Sequence, residues 1–212
     1  MEEYHKIQTV YLRNPNDNHK TLLEGVWAKP EFGLLKDIDW VCTEKIDGTN
    51  IRIMWDGINV RFGGKTDNAQ IPTILISVLQ DTFTNEIMED AFTDIDNVCI
   101  YGEGYGKKIQ NGGNYLPDRA DFILFDVKVG DWWLTREAGE DVANKLGIKI
   151  VPIIATIKLE TAIAWVKEGF ISTISHNRNF IAEGFVMKPA IDLFNRKGER
   201  IITKIKYNDF KR

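Results

Sequence analysis

The sequence predicts an α+β protein with largely antiparallel sheets, because short apolar strand runs outnumber helical ones and most are joined by tight turns. Hydrophobic residues make up 43% and charged residues 27% of the 212 positions, a globular balance with enough apolar side chain for a real core. No repeat and no low-complexity tract interrupts the chain.

Residues 1–35 mix the turn formers Asn14-Pro15-Asn16-Asp17-Asn18 with the apolar anchors Val10, Leu12, Val26 and Trp27, and read as a lead-in packed on the main domain. A hairpin follows: Ile51 to Trp55 and Ile58 to Phe62 alternate, and Asp56-Gly57 between them favours a two-residue type I′ turn. Pro72 to Phe83 has the apolar spacing of a helix that starts at a proline. Strands are expected over Asn97–Tyr101, Phe122–Val129 and Asp131–Leu134. A helix is expected over Arg136–Leu146, with Thr135 as N-cap and Gly147 as its stop. Ile148–Ile154 reads as a strand and Glu160–Glu168 as a helix ended by Gly169. Glu183–Lys188 and Ile201–Tyr207 close the chain as strands.

The net charge of −4 argues against a protein that coats nucleic acid by bulk attraction. Four cations nevertheless fall in the last nine residues, Lys204 to Arg212, so a nucleic-acid surface would be a groove, not a whole face. Cys42 and Cys99 lie far apart in apolar runs and read as buried thiols. His5, His19 and His176 have no ligand spacing. No apolar run approaches the ~18 residues a membrane span needs, and the acidic N-terminus is unlike a signal peptide. A soluble, intracellular and cytoplasmic chain is therefore expected.

Six short strings carry candidate chemistry. Glu44-Lys45-Ile46-Asp47-Gly48-Thr49-Asn50 puts Lys45 and Asp47 on one side of a strand that ends in a turn. A lysine is a nucleophile once desolvation or nearby cations bring it below its usual ~10.4; the alternative is a surface lysine before a turn. Gly63-Gly64-Lys65-Thr66 would let backbone approach a phosphate or ribose, but lacks the spacing of a P-loop. Tyr101-Gly102-Glu103-Gly104 holds a carboxylate that could reach a sugar hydroxyl or a metal-bound water, or could equally be a solvated loop residue.

Phe122 to Val127 is a buried-strand pattern with one acid, Asp126, which needs a partner; Phe125 could stack on a purine or belong to the core. In Glu183 to Pro189, alternation sets Glu183, Phe185 and Met187 on one face and Lys188 on the other. Thr203-Lys204-Ile205-Lys206 brings two cations ~7 Å apart on one face, costly unless an anion sits between them, although an edge strand with solubilising lysines looks the same.

In this order, the six strings resemble the nucleotidyltransferase motifs of the superfamily of ATP-dependent DNA ligases, RNA ligases and mRNA capping enzymes, from about Trp40 to Phe210. Lys45-Ile46-Asp47-Gly48-Thr49-Asn50, Phe125-Asp126 and Glu183 to Lys188 resemble the RNA ligases that seal nicks in duplex RNA, including the RNA-editing type. DNA ligases and capping enzymes usually have arginine where Asn50 stands.

The resemblance implies an ATP-grasp-like ligase domain of two antiparallel sheets flanked by helices, with the nucleotide in the groove between them. That domain is expected over 36–212, after the lead-in 1–35 and without a separate C-terminal or OB domain. The resemblance makes Lys45 the nucleophile that takes AMP, with Asp47, Lys204 and Lys206 beside it in catalysis. Glu44, Asn50, Lys65, Glu103, Phe125, Asp126, Glu183 and Lys188 would bind the nucleotide, Phe125 under the adenine. Glu103, Asp126 and Glu183 would serve the metal.

Lys65 departs from the arginine common at its position and cannot fork onto a phosphate. The implied cofactors are ATP and Mg2+, with Mn2+ as a substitute. The implied partner is nucleic acid, as RNA ends or a nicked duplex, in RNA repair. The alternatives are a minimal DNA nick ligase, a GTP-using capping enzyme, and a non-enzymatic nucleotide-binding protein, which would be expected to lack Lys45 or the lysine pair.

Overall fold

The computed structural model of the chain describes residues 2–211, so the terminal cation Arg212 lies outside the described residues. Along it run β1 (Gln8–Thr9), β2 (Tyr11–Arg13), β3 (Leu22–Trp27), α1 (Pro30–Leu34), β4 (Asp39–Lys45), β5 (Thr49–Trp55) and β6 (Val60–Gly63). Two helices, α2 (Thr73–Thr82) and α3 (Asn85–Ala91), precede β7 (Val98–Gly106), β8 (Ala120–Val129) and β9 (Trp132–Trp133). Next come α4 (Arg136–Leu146), β10 (Lys149–Ile150), β11 (Ile153–Lys158), α5 (Leu159–Glu168), β12 (Gly184–Pro189) and β13 (Thr203–Lys206). The architecture is α+β, as expected.

Contacts divide the chain into two units. The first takes the described residues through His5 with Asp47–Val151 and Ile174–Asn177; the second takes Lys6–Ile46, Pro152–Thr173 and the described residues from Arg178 on. The first unit is built on a six-stranded sheet in the order β10-β8-β7-β5-β6, with β9 paired to β8. All its pairings are antiparallel except β10 with β8. One face carries Ile51, Ile53, Trp55, Ile100 and Leu124 into a core with Leu75, Leu79 and Phe83 of the α2 region and Val142 of α4. The second unit holds a five-stranded sheet, β1-β13-β12-β4-β11, and the ribbon β2-β3. Helix α5 packs on β4, β11, β12 and β13 and buries Leu159, Ala162 and Val166 against Trp40, Phe185, Met187 and Ile205.

Helix α4 has the ends its sequence specifies. Thr135 accepts a hydrogen bond from the amide of Ala138, and Gly147 stops the helix at φ 64°. Three expectations are corrected. The hairpin loop is four residues long, because the Asp56 carboxylate accepts from the amides of both Ile58 and Asn59 and replaces the two-residue turn. The expected strand 148–154 is broken at Pro152, which has no N–H for a ladder; β10 ends in the first unit and β11 begins in the second. Strand β7 runs on to Gly106, so Glu103 sits within a ladder and not in a loop.

Candidate active site

Strand pairing in the second unit gathers four lysines. Residues directly opposite in a sheet share a face. Lys45 of β4 lies opposite Gly184 of β12, Thr43 opposite Val186, and Val41 opposite Lys188. On the other side of β12, Gly184 pairs with Lys206 and Val186 with Lys204 of β13. Lys45, Lys188, Lys204 and Lys206 therefore point from one face. Trp40, Cys42, Phe185, Met187 and Ile205 occupy the opposite, fully buried face.

Glu183 joins this face from outside the strand. Its carboxylate bridges two ammonium groups, Oε2 to Lys45 Nζ at 2.6 Å and Oε1 to Lys206 Nζ at 2.6 Å. Simple alternation expects Glu183 to share the side of Phe185 and Met187. Gly184, at φ +147°, re-aims the backbone at the start of β12, and a Cβ there would lie 2.0 Å from the Ile205 carbonyl oxygen. The pair is charge-assisted and mostly shielded, with side-chain exposures of 19% for Lys45 and 10% for Glu183. An ammonium held in an ion pair does not attack; nucleophilic work by Lys45 requires the pair to open and the proton to leave.

Glu44 takes no part in that face. It is 1% exposed and points to the back of β4, where its carboxylate accepts from Ser172 Oγ at 2.5 Å and from Thr173 N and Oγ1 at 2.9 and 2.7 Å. Its expected contact with a nucleotide is corrected to a buried structural role, since three donors already satisfy it. Ser172 and Thr173 were not singled out in the sequence, and no motif marks them.

In the first unit the polar residues also share one face. Asn50 of β5 lies opposite Glu103 of β7, and Arg52 opposite Tyr101. Gly48 makes this approach possible: a Cβ there would sit 2.3 Å from the Gly104 carbonyl oxygen and 2.8 Å from Glu103 Cγ. Asp47 is fixed beside it, its amide donating to the Tyr115 hydroxyl at 3.2 Å and its carboxylate accepting from Asn111 Nδ2 at 2.7 Å. Neither Asn111 nor Tyr115 was predicted.

Arg52 is wholly buried and ties down the loop after β6, donating to the Gly64 carbonyl at 2.9 Å and to Asp67 at 2.7 Å. Lys65 projects from that loop and is exposed. Asn50 Oδ1 is buried without a protein partner, an acceptor suited to a ligand hydroxyl.

The Phe125-Asp126 pair owes its placement to a bulge. Tyr101 pairs with Asp126, yet the next residue, Gly102, pairs with Leu124, which leaves Phe125 as the extra residue in β8. Leu124 can then face the core while Asp126 turns to the side of Arg52 and Tyr101. Asp126, 8% exposed, accepts from the Tyr4 hydroxyl. Burial raises the Tyr101 phenol well above its usual range, and its neutral hydroxyl donates to the Glu2 carbonyl at 3.0 Å. Burial likewise pushes the Cys42 thiol up to about 12 and raises Cys99.

Among the described residues no group of three or more His, Cys, Asp and Glu side chains forms a metal cage. Glu103 and Asp126 belong to the first unit and Glu183 to the second. Also among the described residues, no helix is long and apolar enough to cross a membrane.

Comparison with known proteins bears on the fold and the family. A Naegleria gruberi RNA ligase mutant solved with ATP and Mn superposes with a TM-score of 0.66 at 19% identity, covering 97% of this chain and 56% of that one. The same ligase with pyrophosphate gives 0.65 at 19% identity, with the same coverage. A second mutant with ATP and Mn gives 0.66 at 20% identity, covering 85% of this chain and 52% of that one. The likeness establishes the fold, and this chain spans about half the length of those proteins. The sequence profile of the RNA ligase family matches residues 38–206, well over half of the chain, and the chain belongs to that family.

Proposed function

We propose that this chain is an ATP-dependent RNA ligase that joins 5′-phosphate and 3′-hydroxyl ends through an AMP carried on Lys45. One observation carries the reading: Lys45, the lysine of the Lys-x-Asp-Gly string, shares a sheet face with Lys188, Lys204 and Lys206. Four cations on one face suit a polyphosphate.

In the first step the neutral Lys45 Nζ attacks the α-phosphorus of ATP; an N–P bond forms, the α–β P–O bond breaks and pyrophosphate leaves. In the second, a 5′-phosphate oxygen of the strand displaces Lys45 from that phosphorus. In the third, the 3′-hydroxyl attacks the strand's 5′-phosphorus, and AMP leaves with its bonding electrons.

Lys188, Lys204 and Lys206 hold phosphate oxygens and stabilise charge as it develops. Glu183 releases Lys45 and Lys206 as the polyphosphate takes their charge. Phe125 supports the adenine, and Asn50 Oδ1, an acceptor without a protein partner, takes a ribose hydroxyl beside Glu103. Asp47, fixed by Tyr115 and Asn111, orients the turn after the nucleophile, and Lys65 adds a phosphate contact from its loop.

The resemblance assigns Glu103, Asp126 and Glu183 to a divalent ion, Mg2+ or Mn2+, which would supply Lewis acidity toward phosphoryl oxygens. The ATP and Mn in the similar Naegleria ligase structures support this choice of ligands.

We assign catalysis to residues 36–212 with 1–35 as lead-in, and place the activity in cytoplasmic RNA repair. Asn50 favours RNA over DNA as the strand sealed. Matched RNA and DNA nicks with one end sequence test the reading. RNA should be sealed faster, with AMP released and with no sealing by Lys45→Ala. Preferential DNA sealing would move the assignment to a nick ligase, and no joining of either would remove it.

A further inference from the structure

The bulge that turns Asp126 toward the polar face also leaves Phe125 outside the regular ladder, so its ring needs support from beyond the sheet. Tyr4 supplies it. Its ring meets Phe125 edge-on at 5.0 Å and 71°, and its hydroxyl donates to Asp126 Oδ2 at 2.5 Å. One side chain thus touches both members of the pair. Tyr4 is itself anchored, packed on Tyr101 at 5.1 Å and Trp133 at 5.8 Å. Its neighbours are fastened as well. The Glu2 carbonyl accepts from Tyr101, the Glu2 carboxylate pairs with Lys128 at 2.7 Å, and the Glu3 carboxylate accepts from the Asp67 amide at 3.3 Å. Seven contacts from three residues, Glu2, Glu3 and Tyr4, describe a built support, not a tail resting on a surface.

We propose that Tyr4 is a positioning residue for nucleotide binding: its hydroxyl fixes the rotamer of Asp126 and its ring backs Phe125. The inference rests on the ligase reading, because it assigns Tyr4 to the adenosine end of ATP. The same reading gives the phosphate end to Lys45, Lys188, Lys204 and Lys206. A carboxylate already ordered before the ligand arrives spares that cost on binding, whereas an unordered one must be fixed at the moment of binding.

The test is calorimetric binding of ATP and of inorganic tripolyphosphate to the Lys45→Ala chain, in which no transfer occurs, alone and with Tyr4→Phe or Tyr4→Ala. Tyr4→Phe keeps the ring contacts and loses only the hydroxyl, so it should fold and should weaken ATP roughly fivefold, the scale of one net hydrogen bond. Tyr4→Ala should weaken ATP by roughly a further threefold through lost ring support. Tripolyphosphate affinity should not change in either. Equal loss of both ligands would mark a general structural defect and overturn the proposal. So would unaltered or tighter ATP binding by Tyr4→Phe. If the Lys45→Ala chain itself binds neither ligand, the ligase reading has failed and the assignment of Tyr4 falls with it.

Discussion

The two sheets reach their polar faces by different means. In the second unit β4, β12 and β13 pair in unbroken antiparallel register, and alternation alone sends Lys45, Lys188, Lys204 and Lys206 to one side. In the first unit the face of Asn50, Glu103 and Asp126 exists because regularity fails at two places. A bulge at Phe125 reverses the alternation of β8, and Gly48 lets the turn after Lys45 press onto β7. Repetition is enough to collect like charges. Placing one carboxylate and one aromatic ring takes an irregularity, and an irregularity needs outside support, here from Tyr4.

The largest effects should follow from breaking the regular face. Lys204→Ala or Lys206→Ala should slow lysyl-AMP formation by roughly 10²–10³-fold, the usual consequence of removing one preorganised charge at a phosphoryl group. Single-turnover labelling with ATP measures it, and a loss below tenfold would mean that those lysines do not face the phosphates.

The back of the same sheet gives a contrasting case. Glu44→Ala orphans Ser172 and the Thr173 amide and hydroxyl, and should lower unfolding free energy in urea by about 3 kcal/mol. A fully stable Glu44→Ala protein with impaired ATP binding would restore Glu44 to the nucleotide site.

In the first unit, Phe125→Ala should raise the KM for ATP several-fold, since stacking contributes about 0.5–1.5 kcal/mol beyond area burial. If instead stability collapses and KM holds, Phe125 is a core residue.

The smallest effect concerns the cysteines. Burial raises both thiols, Cys42 to about 12, so few are thiolate at pH 8. Ellman's reagent should label neither until the chain unfolds, and rapid native labelling would contradict the burial of both strands.

Legibility in the sequence tracked this same contrast. The pairing of Lys204 with Lys206 and the separation of Lys188 from Phe185 and Met187 followed from a period of two. The cap and stop of α4 followed from Thr135 and Gly147. What escaped was set by partners remote in sequence. Glu44 is held by Ser172, 128 residues away, and Asp126 by Tyr4, 122 residues away. Glu183 left its expected face because of a glycine backbone angle that no periodicity encodes. The bulge itself left only a hint, an acid in an apolar run that demanded a partner.

The central claim is that Lys45, at the edge of the lysine face, is the residue that becomes covalently modified. Peptide-level mass spectrometry after incubation with ATP and Mg2+ tests it directly. The account predicts a single AMP on Lys45, absent from Lys45→Ala. AMP on any other residue, or its persistence in Lys45→Ala, would contradict it.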